Sequence, residues 1–160
     1  MTDAKAVIDA WLDAMERRDA EGALAVLADD VKMWTEALER PIVGKEQLRG
    51  SMRSFLEACE SIRIERLKVV VSGRDAAILG RTSARLRSDV EVLGEKLPTA
   101  GKHLCAMGAV FVTVNERGQI AEVWRVRDTW QIMRQMGLSP ERFQTLLQKV
   151  QRETAAPPPS

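Results

Sequence analysis

The chain opens in a helical period. Val7, Ile8, Trp11, Leu12 and Met15 recur at three- and four-residue spacing and form one apolar stripe of a helix from about Asp3 to Arg18. Thr2 stands where its hydroxyl can accept a bond from a first-turn amide. A short second helix is predicted after Asp19, giving Ala23, Leu24 and Leu27 to the same core and ending at Asp29 and Asp30. Val31 to Glu36 reads as a short strand. Pro41 and Gly44 make the next stretch irregular, and a third helix follows from about Lys45 to Glu60. Its apolar face carries Leu48, Met52, Phe55, Leu56 and Cys59.

From Ile62 the period falls to two. Ile62, Ile64, Val69 and Val71 predict a strand with a slip or bulge near Leu67. After a turn at Ser72 to Asp75, one long strand is expected from Ala76 to Val92. Ile78, Gly80, Thr82, Ala84, Leu86, Ser88, Val90 and Val92 share its inner face, and Arg81, Arg85, Arg87, Asp89 and Glu91 point to solvent. Gly94, Pro98 and Gly101 mark a hairpin loop. Lys102 to Val114 and Gln119 to Asp128 are the next strands, joined by the turn Asn115 to Gly118. A helix then runs to about Met136 and stops at Gly137, which suits a left-handed cap. Ser139 and Pro140 open a last helix with Phe143, Leu146, Leu147 and Val150 as its stripe.

Helices followed by hairpin-linked strands give an α+β fold with a curved antiparallel sheet. A strand this long has to bend, and Gly80 or the slip near Leu67 provides the place. Helices laid across the concave face of a bent sheet leave an apolar pocket. Residues 1–153 read as one domain, and 154–160 as a disordered tail.

Charge and composition narrow the partners. Lys and Arg number 24 against 23 Asp and Glu, so no basic excess favours nucleic acid. No run approaches the roughly 18 apolar residues of a membrane span, and the N-terminus lacks a signal core, so a cytoplasmic protein without membrane attachment is expected. Cys59 and Cys105 form no CxxC and read as free thiols. No metal site or cofactor motif is found.

Four strings, in order, resemble the SnoaL-like polyketide cyclase family of the nuclear transport factor 2-like superfamily. They are Ala28 to Val31, Pro41 to Glu46, Leu97 to Lys102, and Gly118 to Asp128 continuing through Gln135-Met136-Gly137. The last is similar to the family's "GkI.E.W...D...LL.QLG", and the resemblance spans roughly residues 5 to 138. It implies a cone-shaped α+β barrel, a homodimer, a small apolar or cyclic ligand, and cyclase or isomerase chemistry without a cofactor.

Asp128 is the first candidate for that chemistry, four residues after Trp124 and so on the same strand face. The matching aspartate of the cyclases is a general acid/base. A carboxyl group desolvated at an apolar pocket can exchange protons with a carbon acid near neutral pH. The alternative is an Asp that caps the following helix at Thr129 and Trp130. Glu36 is a candidate second carboxylate, and otherwise a solvent-facing residue. Trp34, Trp124, His103, Val110 and Thr82 are the candidate ligand-binding residues, with core or structural roles as the alternative for both Trp and for His103.

Two branches of the superfamily fit poorly. Thr82, Ala84 and Val126 fall where an epoxide hydrolase needs Arg, Asp and Asp, and Arg87-Ser88-Asp89 lies on the outward phase. The chain has no tyrosine, and Val110 stands near the acid position of a ketosteroid-type isomerase. A non-catalytic ligand-binding or dimerisation module of the same fold is the alternative function, since this fold carries many activities.

Overall fold

A computed structural model describes residues 3–92 and 94–154. The proposed Thr2 cap, Leu93 of the hairpin loop, and residues 155–160 of the proposed tail lie outside them. Asp3 is the observed cap of α1 (Ala4–Glu16), its carboxylate accepting from Lys5 N at 3.0 Å. Ile8, Trp11 and Leu12 are buried and Val7 and Met15 pack beside them, as the stripe requires. Asp19 caps α2 (Ala20–Ala25) in the same manner.

α2 ends sooner than the sequence pattern suggests, and β1 (Leu27–Thr35) starts earlier. The reason is tertiary. Ile120 N donates to Val26 O at 2.9 Å and Leu27 pairs with Ile120, so a neighbouring strand captures this backbone. Gly44, at φ 91°, turns the chain from the short β2 (Ile42–Val43) into α3 (Lys45–Ala58). β3 (Cys59–Ser72) then pairs with β4 (Asp75–Leu86) along its length.

The long strand expected to reach Val92 breaks after Leu86. Val90–Val92 is a separate strand, β5, paired with β6 (Glu95–Leu97). The break is held from both sides. Arg87 donates twice to Glu57 O at the end of α3, and Asp89 Oδ1 accepts from Thr99 N and Ala100 N. Thr99, fully buried, accepts from Val90 N at 2.9 Å. The Leu97 to Lys102 string is therefore a hydrogen-bonded hairpin base, and Arg87 and Asp89 are structural.

β7 (His103–Val114) and β8 (Ile120–Arg127) complete a six-stranded sheet in the order β2-β1-β8-β7-β4-β3. The sheet is α+β in class but neither wholly antiparallel nor closed. β1 runs parallel to β8, and β2 and β3 are edges among the described residues. Curvature is built where the sequence pattern locates it. The β3–β4 register shifts between Arg66 and Lys68, leaving Leu67 unpaired, and Arg66 lies opposite Gly80. Gly80 in turn lies opposite Gly108 of β7, which lies opposite Arg127 of β8. A Cβ on Gly108 would sit 2.7 Å from Val126 O, so only glycine permits this closeness.

α1, α2 and α3 cover the concave face. Arg66 pins α1 to the bulge through Asp13 at 2.6 Å and Asp9 at 3.4 Å, and Glu16 Oε1 accepts from Ile64 N at 2.5 Å. α4 (Thr129–Met136) and α5 (Pro140–Thr154) close the far end with a satellite core of Leu97, Met133, Leu138 and Leu146. Gly137 ends α4 at φ 74°, as expected. Among the described residues no helix is long and apolar enough to cross a membrane.

Candidate functional site

Between the helices and the concave sheet lies a cavity of about 410 Å³. That volume is in the range of small-molecule sites. Its walls follow from the two periods of the chain. α1 contributes Trp11, Leu12 and Met15, and α3 contributes Leu48, Met52 and Phe55. Ile78, Thr82 and Ala84 of β4 and Leu104, Ala106 and Val110 of β7 form the floor by alternation. Val90 and Val92 enter from the small hairpin. Thr82 and Val110, two of the candidate ligand-binding residues, are thus in the cavity lining.

The other candidates are elsewhere. Asp128 is solvent-exposed and is the N-cap of α4, its Oδ1 accepting from Gln131 N at 3.0 Å. The capping alternative describes its position, with Gln131 rather than Thr129 or Trp130 as the amide. It does not line the cavity. The physical reason is phase: Asp128 shares the outward face of Trp124 and Val126, and β8 ends at Arg127, where Asp128 adopts the cap conformation. Glu36 accepts from the Thr129 hydroxyl and lies with Trp130 and Phe143 in a shallow second hollow. It faces no carboxylate partner in the cavity.

Trp34 and Trp124 occupy opposite positions of β1 and β8 and stack with ring centroids 4.5 Å apart and planes 3° off parallel. They do so on the outer face, where Trp124 is 44% exposed, and line no cavity. The phase explains it. Val123 of β8 is fully buried, so Trp124 points outward and Arg125 inward. His103 is exposed opposite Arg85, again on the outer phase. Both cysteines are free, and burial pushes the Cys59 thiol up to about 11.

Sequence reasoning passed over Arg125 and Arg127, which line the cavity from β8. The signal was available: Val123 has to be core, and the residues two and four further on share its face. Arg125 Nη2 lies 3.0 Å from the Met33 sulfur, and its Nε is enclosed without a hydrogen-bond partner. Loss of hydration, then the neighbouring Arg127, pulls Arg125 down to about 9, against the attraction of Glu36. Arg127, exposed for part of its surface, is lowered by burial, also against Glu36.

Taken together, an open curved sheet under three helices, with an apolar cavity between them, defines a cavity-bearing α+β protein of nuclear transport factor 2-like fold. Residues 8–123 match the family model of the SnoaL-like domain, and the chain belongs to that family. Solved structures share the fold at low identity. AclR from Streptomyces galilaeus is 17% identical with a TM-score of 0.69, over 86% of this chain and 97% of that one. A SnoaL-like protein from Shewanella denitrificans is 12% identical with a TM-score of 0.67, over 89% and 97%. TerC, co-crystallised with polyporic acid, is 15% identical with a TM-score of 0.65, over 84% and 98%. No match was found among curated proteins.

Proposed function

We propose that this SnoaL-like protein binds a small, largely apolar cyclic molecule in its internal cavity, as a binding module and not by aspartate acid/base catalysis. One observation carries the reading: the cavity lining is largely apolar, and among the described residues its ionisable members are arginines, with no carboxylate or histidine. A carbon-acid proton transfer needs a base within hydrogen-bond reach of the substrate. Asp128 caps α4 at the surface, and Glu36 is engaged by Thr129. Neither stands at the cavity wall. Arginine keeps its proton and serves as a donor, which suits holding a ligand. The fold supports a small-molecule role, since TerC is crystallised with polyporic acid.

The test is calorimetric titration with fused-ring aromatic compounds. The wild-type protein binds them at one site. Thr82→Phe, which fills the cavity from β4 with an added ring, loses the heat while keeping the wild-type circular dichroism. Equal binding by Thr82→Phe would remove the cavity as the site.

A second reading accompanies the first, because the outer face of the sheet is also apolar. Met107, Phe111, Trp124, Val126 and Leu79 are exposed there, and β7 and β8 bring Phe111 directly beside Trp124. Monomers seldom leave such a contiguous patch open. The flanking charges have both signs, with Arg81 paired to Glu65 at 3.2 Å on one side and Lys32 beside Glu122 on the other. A two-fold-related copy of the chain fits such a self-complementary surface, and we assign this face to a homodimer.

A further inference from the structure

We propose that the cavity selects an anionic ligand, a cyclic carboxylate or acidic enol, through the guanidinium of Arg125. The inference rests on the cavity-binding reading above and names its substrate class.

Three observations lead there. Arg125 shares the inner face of β8 with the buried Val123 and lines the cavity among apolar side chains. It forms no ion pair among the described residues, although most arginines of the inner or edge strands do find one, as Arg66 does with Asp9 and Asp13. Its contacts are a sulfur, a weak acceptor, and an enclosed Nε with nothing to donate to. A cation taken out of water without a partner costs several kcal/mol in a protein, roughly. Such a group is retained where a partner arrives later.

Two further features fix the sign and rule out a resident counter-ion. Arg127 enters from the same strand face, two residues on, so positive charge is concentrated at that end of the cavity. Glu36 attracts both guanidiniums without pairing with either, because its carboxylate is taken by the Thr129 hydroxyl outside the cavity. Burial lowers Arg125 only to about 9, so it remains charged at neutral pH. The unpartnered donors around the cavity also include Trp11 Nε1, and donors without partners favour a ligand with acceptors. A planar guanidinium pairs with a carboxylate through two parallel hydrogen bonds. The apolar walls would hold the ring while Arg125 holds the acid.

The experiment compares a naphthoate with its neutral naphthamide, two probes alike in shape, by calorimetry at pH 7. The wild-type protein prefers the naphthoate by at least about tenfold, which corresponds to ~1.4 kcal/mol. Arg125→Met abolishes that preference while naphthamide binding stays within about twofold, and Arg125→Lys retains part of it. Thermal melting separates this role from a structural one. Arg125→Met keeps or raises the melting temperature, because a half-buried charge without an ion-pair partner is removed. A naphthoate preference unchanged in Arg125→Met would overturn the anion assignment and leave the cavity site standing. So would a marked drop in melting temperature together with equal loss of both probes. Binding of neither probe by the wild-type protein would overturn the cavity reading itself, and this assignment with it.

Discussion

Asp128 shows how one residue's position decides its chemistry. Had β8 continued by one residue, alternation would have set its carboxylate on the outer face with Trp124 and Val126, still away from the cavity. Instead the strand stops at Arg127, and Asp128 takes the cap conformation at φ −74°, ψ 83°. Its oxygen is used on Gln131 N. Replacing it by Ala removes an N-cap and should destabilise the protein by about 1 kcal/mol. Ligand affinity should not change. Chemical denaturation and calorimetry on the same variant check both halves. A loss of ligand binding in a well-folded Asp128→Ala would return Asp128 to the site.

At the level of elements, the register opposes Arg66 to Gly80, Gly80 to Gly108, and Gly108 to Arg127. The bulge at Leu67 supplies the extra residue on β3, and the glycines let backbone approach backbone on its neighbours. Bending here opens space above Thr82 and Ala84 for the cavity. Gly108→Ala places a methyl 2.7 Å from Val126 O and 3.0 Å from Arg127 Cβ. It should cost ~1–3 kcal/mol in denaturation, because the carbonyl cannot yield without shifting β8. Gly50, exposed in α3 with open space at its Cβ, is the control. There Ala should stabilise slightly, by roughly 0.5–1 kcal/mol.

The whole molecule sets apart what could be read from the chain and what could not. Local periods placed α1, α3, the bulge, the hairpins and the left-handed stop at Gly137, because short-range patterns dictate them. Three features depended on distant partners. The early start of β1 needs Ile120, the break at Arg87 to Asp89 needs Glu57 and Thr99, and the parallel β1–β8 pairing has no local signature. Of the seven candidate site residues, two line the cavity. Thr82 and Val110 follow from alternation alone, while Trp34, Trp124 and His103 were on the wrong side of the sheet. The phase of β8 was the missing step, since a buried Val123 turns Trp124 out and Arg125 in. One sheet thus presents two apolar faces, the inner one proposed for a ligand and the outer one proposed for a second chain. Phe111→Glu, on the outer face beside Trp124, should convert a dimer to a monomer in light scattering without altering ligand affinity. A wild-type protein that is monomeric at micromolar concentration would contradict the interface.

The most direct measurement is methyl NMR of the wild-type protein during titration with an aromatic acid. Binding inside the protein predicts shifts at Leu12, Ile64, Ile78 and Val110, which line the cavity. Leu67, Val70, Val71 and Leu79, exposed on β3 and β4, should stay in place. Shifts confined to that exposed group, with the cavity methyls unmoved, would contradict the account.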